Sequence, residues 1–194
     1  MNIYDFDDTI FAGDSSVRFI RYSLLRHPFK VSWCFLKSSK EGIKYLFKKS
    51  DFGNVKSKLF SFVKDINNLD EYMNEYVLKN QHHIKKFYLE QRQDDDVVIS
   101  ASFDFIVRPF CEKLGIKHII ATLYDTKKGC IIGKNCKGEE KIVRFKQIIK
   151  NPKVENAYSD SLSDIPMFEI AQKAFLVKDE ELIPYDIGRK RIKK

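Results

Sequence analysis

The chain has 194 residues, 43% of them hydrophobic, and its 35 Lys and Arg exceed its 27 Asp and Glu to give a net charge of +8. This length suffices for one complete hydrophobic core with a small additional module. No apolar run approaches the roughly 18 residues of a membrane-spanning helix, no secretion signal precedes the first predicted strand, and the cysteines form no CxxC pair, so we expect a cytoplasmic protein without disulfides.

The first 80 residues contain one predicted strand and then only helical patterns. The strand covers residues 1–6, which are mostly apolar. Asp14 is a candidate N-cap for a helix that the His27-Pro28 pair ends. The apolar residues of this helix follow helical spacing and are Val17, Ile20 and Leu24. Further helical patterns, one with Asn54 as its candidate cap, predict a helical insert over residues 14–80.

Beyond residue 80, short apolar runs alternate with helical patterns. The predicted strands lie at residues 97–100, 118–121, 154–158 and 175–177. The predicted helices lie at residues 84–91, 105–114, 142–149 and 162–171. A hairpin is predicted to turn through Gly129 and Gly133. This alternation favours the α/β class, with a parallel sheet covered by helices and a core formed by residues 1–13 and 81–194.

The segment Asp5-Phe6-Asp7-Asp8-Thr9 stands where the first predicted strand gives way to a loop. Residues two apart in an extended segment point to the same side, so the carboxylates of Asp5 and Asp7 can converge. Ligands of an open α/β sheet bind beyond the carboxyl ends of its strands, which is where this pair would lie. A solvated acidic turn is the alternative, because the pattern is short.

Three further polar groups follow in order, each at the end of a predicted strand or near the start of a predicted helix. They are Ser100, Lys141 and the pair Asp160 and Asp164. With the DxDxT segment, this series resembles the haloacid dehalogenase superfamily, and the insert between the first and second motifs is similar to its phosphoserine phosphatase-like branch. The sequence departs from the family pattern at Asp8, where glycine is frequent, and at Ser159 and Ser161, where glycines often sit.

The resemblance implies a three-layer, Rossmann-like parallel sheet with a small helical cap at residues 14–80. It also implies a magnesium-dependent phosphomonoester hydrolase in which Asp5 is the nucleophile that becomes phosphorylated and Asp7 is the general acid and base. Ser100 and Lys141 would hold the phosphoryl oxygens. The implied ligands of Mg²⁺ are the side chains of Asp5 and Asp160 and the backbone carbonyl of Asp7, with Asp164 as a further ligand or supporting group. A phosphotransferase with the same intermediate is the alternative.

The predicted cap is strongly basic, with 12 Lys and Arg against three acids between residues 14 and 64, and it is rich in aromatic residues. Such a surface suits an anionic membrane or a lipid-linked phosphate as well as a phosphorylated small molecule. The favoured interpretation is that the aromatic residues form the cap's own core under solvated lysines. A non-catalytic basic module that binds nucleic acid or an anionic membrane is the less favoured class, and no nucleic-acid-binding motif accompanies the charge.

Two cap residues, Asp14 and Arg18, lie nearest in sequence to the first motif. They could contact substrate, or they could serve as an N-cap and a solvated helix charge. A second basic segment is the tail at residues 189–194.

Overall fold

The computed structural model of the chain describes residues 1–47 and 52–186. The basic tail at residues 189–194 and the central residues 48–51 of the predicted cap lie outside the described residues. Within the described ranges the chain forms eight strands and eight α-helices.

The strands, in chain order, are β1 (Asn2–Tyr4), β2 (Val97–Phe103), β3 (His118–Thr122), β4 (Tyr124–Asp125), β5 (Cys130–Ile131), β6 (Val154–Ser159), β7 (Ala171–Lys178) and β8 (Glu181–Tyr185). Strands β4 and β5 pair as the short antiparallel hairpin. The other six form one sheet in the order β3-β2-β1-β6-β7-β8, in which β8 pairs antiparallel to β7 and the remaining pairs are parallel. The order reverses at β1, because the chain adds β2 and β3 on one side of it and β6 and β7 on the other.

The α-helices are α1 (Ser15–Arg26), α2 (Pro28–Leu46), α3 (Phe52–Leu59), α4 (Leu69–Asn80), α5 (Lys86–Gln91), α6 (Asp104–Lys113), α7 (Glu139–Ile148) and α8 (Ile165–Glu169). The first four lie between β1 and β2 in the chain. Asp14 caps α1, since its Oδ1 accepts a hydrogen bond from Val17 N at 2.9 Å. Pro28 stands in the first turn of α2, where the missing N–H has no helical partner to lose.

Buried side chains of the sheet belong alternately to two hydrophobic clusters. Ile3 of β1 lies in the cluster that contains Phe145 of α7, and the next residue, Tyr4, lies in the cluster that contains Phe110 of α6. Successive residues of a strand face opposite sides, so both faces of the sheet are covered. The predicted α/β class, a mostly parallel sheet flanked by helices, is therefore confirmed. None of the described helices is long and apolar enough to cross a bilayer.

Aromatic side chains join the inserted helices to the sheet. The ring of Tyr76 in α4 lies 5.2 Å from that of Phe19 in α1 and 5.6 Å from that of Phe110 in α6. Phe60, just after α3, packs 4.9 Å from Phe103 of β2. The expected aromatic core thus forms, but it is continuous with the core of the sheet. Five aromatic residues expected in that core are exposed instead, namely Phe29, Trp33, Phe35, Tyr45 and Phe47.

The predicted apolar face of α1 is wrong at two of its three residues, since only Ile20 packs against the core. The helix buries Phe19 and Tyr22, whereas Val17 and Leu24 are exposed. Aromatic rings bury more apolar area than valine or leucine, and here they meet other rings, so the helix is rotated to bring them inward.

Two other predicted helix boundaries are also wrong. Asn54 lies inside α3 and does not cap it, because the helix already begins at Phe52. The helix expected over residues 162–171 is a 3₁₀ turn, Leu162–Asp164, followed by the short α8, because Ala171 already pairs in β7.

Candidate active site

A cavity of about 250 Å³ opens at the carboxyl ends of β1, β2 and β6. This is the point where the order of the sheet reverses, which is the usual place for a ligand in an open α/β sheet. Its charged and hydroxyl-bearing lining residues are Asp5, Asp7, Asp8, Asp14, Lys56, Ser100, Ser102, Lys137, Lys141, Asp160, Ser161, Ser163 and Asp164. The fold therefore brings the residues of all four predicted motifs to one cavity.

The loop after β1 is closed by reciprocal hydrogen bonds between Asp8 and Gly13. Asp8 N donates to the Gly13 carbonyl at 3.1 Å, and Gly13 N donates to Asp8 Oδ1 at 2.8 Å. Asp8 has a φ of 54°, the left-handed conformation that glycine takes readily and that aspartate adopts more easily than most residues. Lys85 Nζ donates to the Asp8 carbonyl oxygen. The departure from glycine at this position is thus compatible with the loop, and the carboxylate adds a hydrogen bond that glycine lacks.

Lys141, in the first turn of α7, bridges two carboxylates. Its Nζ lies 2.7 Å from Asp5 Oδ1 and 2.7 Å from Asp164 Oδ2, and the lysine is buried. Burial opposes the charged form of Lys141, but Asp5 and Asp164 outweigh burial and raise the Lys141 pKa. Burial raises the pKa of Asp5 to about 7, with Lys141 acting against the rise and Asp164 adding to it. One lysine is shared by two buried carboxylates, so the site has little positive charge of its own.

Asp7 is held by a different set of donors. Ser15 N donates to Asp7 Oδ1 at 2.6 Å, and Ser102 Oγ donates to Asp7 Oδ2. Burial raises the pKa of Asp7, and the hydrogen bonds from Ser102 and Ser15 oppose that rise. Ser102 was missed in the sequence because the predicted strand ended at Ser100. Its position two residues further along β2, on the same side of an extended strand, is the signal that could have found it.

Hydroxyl groups fix the loop after β6. Ser159 Oγ donates to Asp164 Oδ2 at 2.7 Å, and Ser161 N donates to Ser159 Oγ at 3.1 Å. Asp160 N donates to Thr9 Oγ1 at 2.9 Å, which ties this loop to the loop after β1. Neither serine has a positive φ, so the backbone here does not need glycine. Burial raises the pKa of Asp160.

The donor set suits a hard divalent cation. The carboxylates of Asp5, Asp160 and Asp164 and the carbonyl of Asp7 offer oxygen atoms only, which Mg²⁺ prefers. The raised pKa values of Asp5 and Asp160, both caused first by burial, fit a site in which added positive charge would be stabilising. Among the described residues, no three acidic, His or Cys side chains already converge as a complete metal site.

Of the two cap residues considered for substrate contact, one lines the cavity. Asp14 lines it while also capping α1. Arg18 is not among the lining residues, and its Nη2 donates to the Ala12 carbonyl at 3.3 Å. Lys56 of α3 lines the cavity instead, with its Nζ donating to the Ala101 carbonyl at 3.0 Å and its pKa lowered by burial. No local pattern separates Lys56 from the other lysines of the cap, so the sequence did not single it out.

A larger cavity of about 510 Å³ lies between α3 and the β4–β5 hairpin. Its lining includes Ser57, Cys130 and Asn135, and none of the described residues that form it is acidic. It therefore lacks the paired carboxylates that distinguish the smaller cavity.

The sequence profile of the haloacid dehalogenase-like hydrolases matches residues 3–169. The chain belongs to this family. The match runs from β1 to α8 and includes all four motifs, so the predicted superfamily is confirmed.

The curated relatives of this haloacid dehalogenase-like hydrolase have low sequence identity to it and match only part of the chain. Histidinol-phosphatase of Neisseria meningitidis serogroup C (strain 8013) is 29% identical over 128 residues, and the match covers 58% of this chain and 58% of that protein. The chain thus spans a little over half the length of this curated relative.

Solved structures show the same fold. A protein described as having unknown function, from Bordetella pertussis Tohama I, superposes with a TM-score of 0.73 at 17% identity, covering 91% of this chain and 88% of that chain. A phosphoserine phosphohydrolase-like protein from Francisella tularensis subsp. tularensis SCHU S4 gives a TM-score of 0.55 at 19% identity, covering 91% and 87%. At these identities the likeness concerns the fold alone.

Proposed function

We propose that this chain is a magnesium-dependent phosphomonoester hydrolase that works through a phosphorylated Asp5. One observation carries the proposal: two carboxylates two residues apart line one cavity in different surroundings. Asp5 is paired with Lys141 at 2.7 Å, whereas Asp7 is held by Ser102 and by the backbone of Ser15. Carboxylates in unlike environments can take unlike roles, one as a nucleophile and the other as an acid and base.

The reaction has two halves. In the first, an oxygen of ionised Asp5 attacks phosphorus and the bond from phosphorus to the ester oxygen breaks, while protonated Asp7 gives its proton to that oxygen, so that an alcohol leaves. In the second, the oxygen of a water molecule attacks phosphorus and Asp7 takes a proton from that water. The bond from phosphorus to Asp5 then breaks, which releases inorganic phosphate and restores ionised Asp5 and protonated Asp7.

The surroundings of each group support these roles. Burial raises the pKa of Asp7, which favours the protonated form needed in the first half. Asp5 has to be ionised, and its pKa of about 7, set first by burial, makes its charge sensitive to nearby cations. A bound Mg²⁺ would supply positive charge that offsets the phosphate dianion and favours ionised Asp5. Asp5, Asp160 and the Asp7 carbonyl would hold it, with Asp164 oriented beside them by Ser159 and Lys141.

Phosphate binding is assigned to the basic and hydroxyl groups of the cavity. Ser100 and Lys141 would hold the phosphoryl oxygens, and Lys56 and Lys137 line the same space. Six carboxylates line the same cavity, so these three lysines would need a bound cation beside them to favour an anionic substrate.

The substrate class is proposed as a small phosphomonoester. The cavity of about 250 Å³ is small, and the name of the relative histidinol-phosphatase points to the phosphate ester of a small alcohol as a first candidate. Lipid-linked phosphates are the second class to test, because of the basic character of the cap.

The test is hydrolysis of a panel of water-soluble and lipid-linked phosphomonoesters by the full chain with Mg²⁺. We expect activity that EDTA removes and Mg²⁺ restores. We also expect that quenching with acid during turnover traps a small amount of phosphorylated protein. Asp5→Asn should abolish both, while Asp70→Asn, at an exposed position in the first turn of α4, should leave both unchanged.

Hydrolysis that persists undiminished in Asp5→Asn would contradict the assigned nucleophile. Transfer of phosphate to added alcohols in preference to water would replace the hydrolase by a phosphotransferase with the same intermediate.

A further inference from the structure

Helix α2 presents an apolar face to solvent. The exposed apolar residues of the helix and its C-cap on this face are Phe29, Trp33, Leu36, Ile43 and Phe47, each 56–89% exposed. At roughly 100° per residue they fall within a sector of about 80°. Single exposed apolar residues are ordinary on protein surfaces, but five on one face of one helix, interrupted within the sector by Lys40, form an apolar stripe of the kind that marks an interaction site.

The opposite face of α2 already anchors the helix. Val31, Cys34 and Ser38 are the buried residues of the helix, and Cys34 Sγ lies 3.3 Å from Ser61 Oγ. Lys30 Nζ donates to the Asp65 carbonyl at 2.7 Å. The fold therefore holds α2 in place without using its exposed apolar face.

The charge of helices α1 and α2 is mostly positive. Residues 15–47 contain seven Lys and Arg and one acid, Glu41. Lys37, Lys40 and Lys44 fall within or beside the apolar sector by helical spacing. The ammonium of Lys37 lies 5.4 Å from the centre of the Trp33 ring, and that of Lys44 pairs with Glu41 at 2.8 Å. Two copies joined through this face would bring like charges together, whereas an anionic surface would complement them.

We propose that α2 docks on the surface of an anionic phospholipid bilayer. The helix has 19 residues, about 28 Å in length, and would lie in the plane of the interface. Its aromatic and aliphatic residues would enter the boundary between headgroups and acyl chains. The lysine ammonium groups would reach the lipid phosphates along their own apolar stems. This surface does not depend on the phosphatase proposal.

A bilayer fits these features better than an acidic protein does. The face is the outer side of a helix, with Phe29 89% exposed, and a fluid interface adapts to such protruding side chains without a matching groove. Tryptophan is favoured at the membrane interface, where its ring is partly buried and its N–H stays hydrated.

The single tryptophan of the chain lies on this face and makes the test direct. The full chain is mixed with vesicles of phosphatidylcholine alone or with phosphatidylglycerol added, at low and high salt, and both sedimentation and Trp33 emission are measured. We expect sedimentation and a blue shift with anionic vesicles, quenching by brominated lipid, and weaker binding at high salt. Neutral vesicles should bind much less.

Matched variants separate this face from the general charge. Phe29→Ser with Leu36→Ser should weaken binding to anionic vesicles by about tenfold or more. Val143→Ser with Ile148→Ser, which changes two exposed apolar residues of α7, should leave it unchanged. All of these residues are exposed, and circular dichroism would verify that both variants are folded.

Three results would overturn the proposal. The first is no sedimentation with anionic vesicles at low salt. The second is sedimentation while Trp33 emission stays that of a water-exposed indole, which would mean that another surface binds. The third is a Trp33 blue shift that depends on protein concentration and not on lipid, which would assign the face to a second copy of the chain.

Discussion

Lys141 is the residue at which stability and activity are most tightly linked. Its ammonium group lies between two buried carboxylates, Asp5 and Asp164, at 2.7 Å from each. Lys141→Met keeps the apolar stem and removes the charge, so both carboxylates lose their buried cation. We expect activity to be abolished and the free energy of unfolding at pH 8 to fall by about 3 kcal/mol.

The loss should be smaller at pH 5. Burial raises the pKa of Asp5 to about 7 even beside the lysine, so without the lysine this carboxyl is protonated at pH 5 and needs no cation. Urea unfolding at both pH values measures the difference. Lys146→Met, at an exposed position of the same helix, is the control. An equal loss at pH 5 and pH 8 would contradict the role assigned to the buried charge.

The sequence pointed to those cavity residues that have a suitable chemical type and also stand at the end of a predicted strand. Asp5 follows β1 and Ser100 follows the apolar residues Val97-Val98-Ile99 within β2, and the parallel sheet brings these parts of the two strands to one edge. Lys56 was missed because its approach to the cavity depends on how α3 packs against α2 and β5, which brings its Nζ to the Ala101 carbonyl. Arg18 shows the reverse, since closeness in sequence to the first motif did not bring it into the lining.

At the scale of the element, Asp14 caps α1 and is proposed to contact substrate, and substitution can separate these two roles. Its Oδ1 accepts a hydrogen bond from Val17 N at 2.9 Å, and it lines the cavity. Asp14→Ala should lower the free energy of unfolding by about 1 kcal/mol, whereas Asp14→Ser keeps a cap and should restore most of it. If the carboxylate contacts substrate, both variants should raise KM by about tenfold. Thermal unfolding and steady-state kinetics give the two readouts, and an unchanged KM in Asp14→Ser would leave Asp14 with the capping role alone.

The elements that were predicted well are those whose hydrophobic pattern agrees with their burial inside the sheet. β2 begins with the apolar run Val97-Val98-Ile99, and β6 buries Val154, Ala157 and Tyr158. Both strands lie inside the sheet. β8 was not predicted, because Glu181–Tyr185 contains Pro184 and has no buried residue. A proline is tolerated there since β8 pairs on one side only, as an edge strand. Edge strands depend on a neighbour more than on their own hydrophobic pattern, so local sequence carries little signal for them.

At the scale of the whole molecule, the two ends of the sheet have separate buried acids. Asp5 lies at the carboxyl end of β1 in the cavity, and Asp96 lies just before the amino end of β2. A substitution at Asp96 should therefore change stability without changing the site.

Asp96 is nearly inaccessible to solvent, and burial raises its pKa to about 6, against the opposing hydrogen bond from the Gln93 backbone N–H. An acid whose pKa is higher in the folded chain favours folding when protonated. That contribution is complete below a pH of about 4 and is lost as the pH rises through 6.

Asp96→Asn removes the titrating group and retains a side-chain oxygen. That oxygen can accept the hydrogen bond that the Gln93 backbone N–H donates to Asp96 at 2.8 Å. We expect this variant to be more stable than the wild type by roughly 1–3 kcal/mol at pH 8 and to show little difference at pH 4. Urea unfolding across this range provides the measurement, and Asp94→Asn, at the exposed position two residues earlier, should follow the wild-type curve. A constant difference at every pH would mean that the side chain acts through its hydrogen bonds and not through its charge.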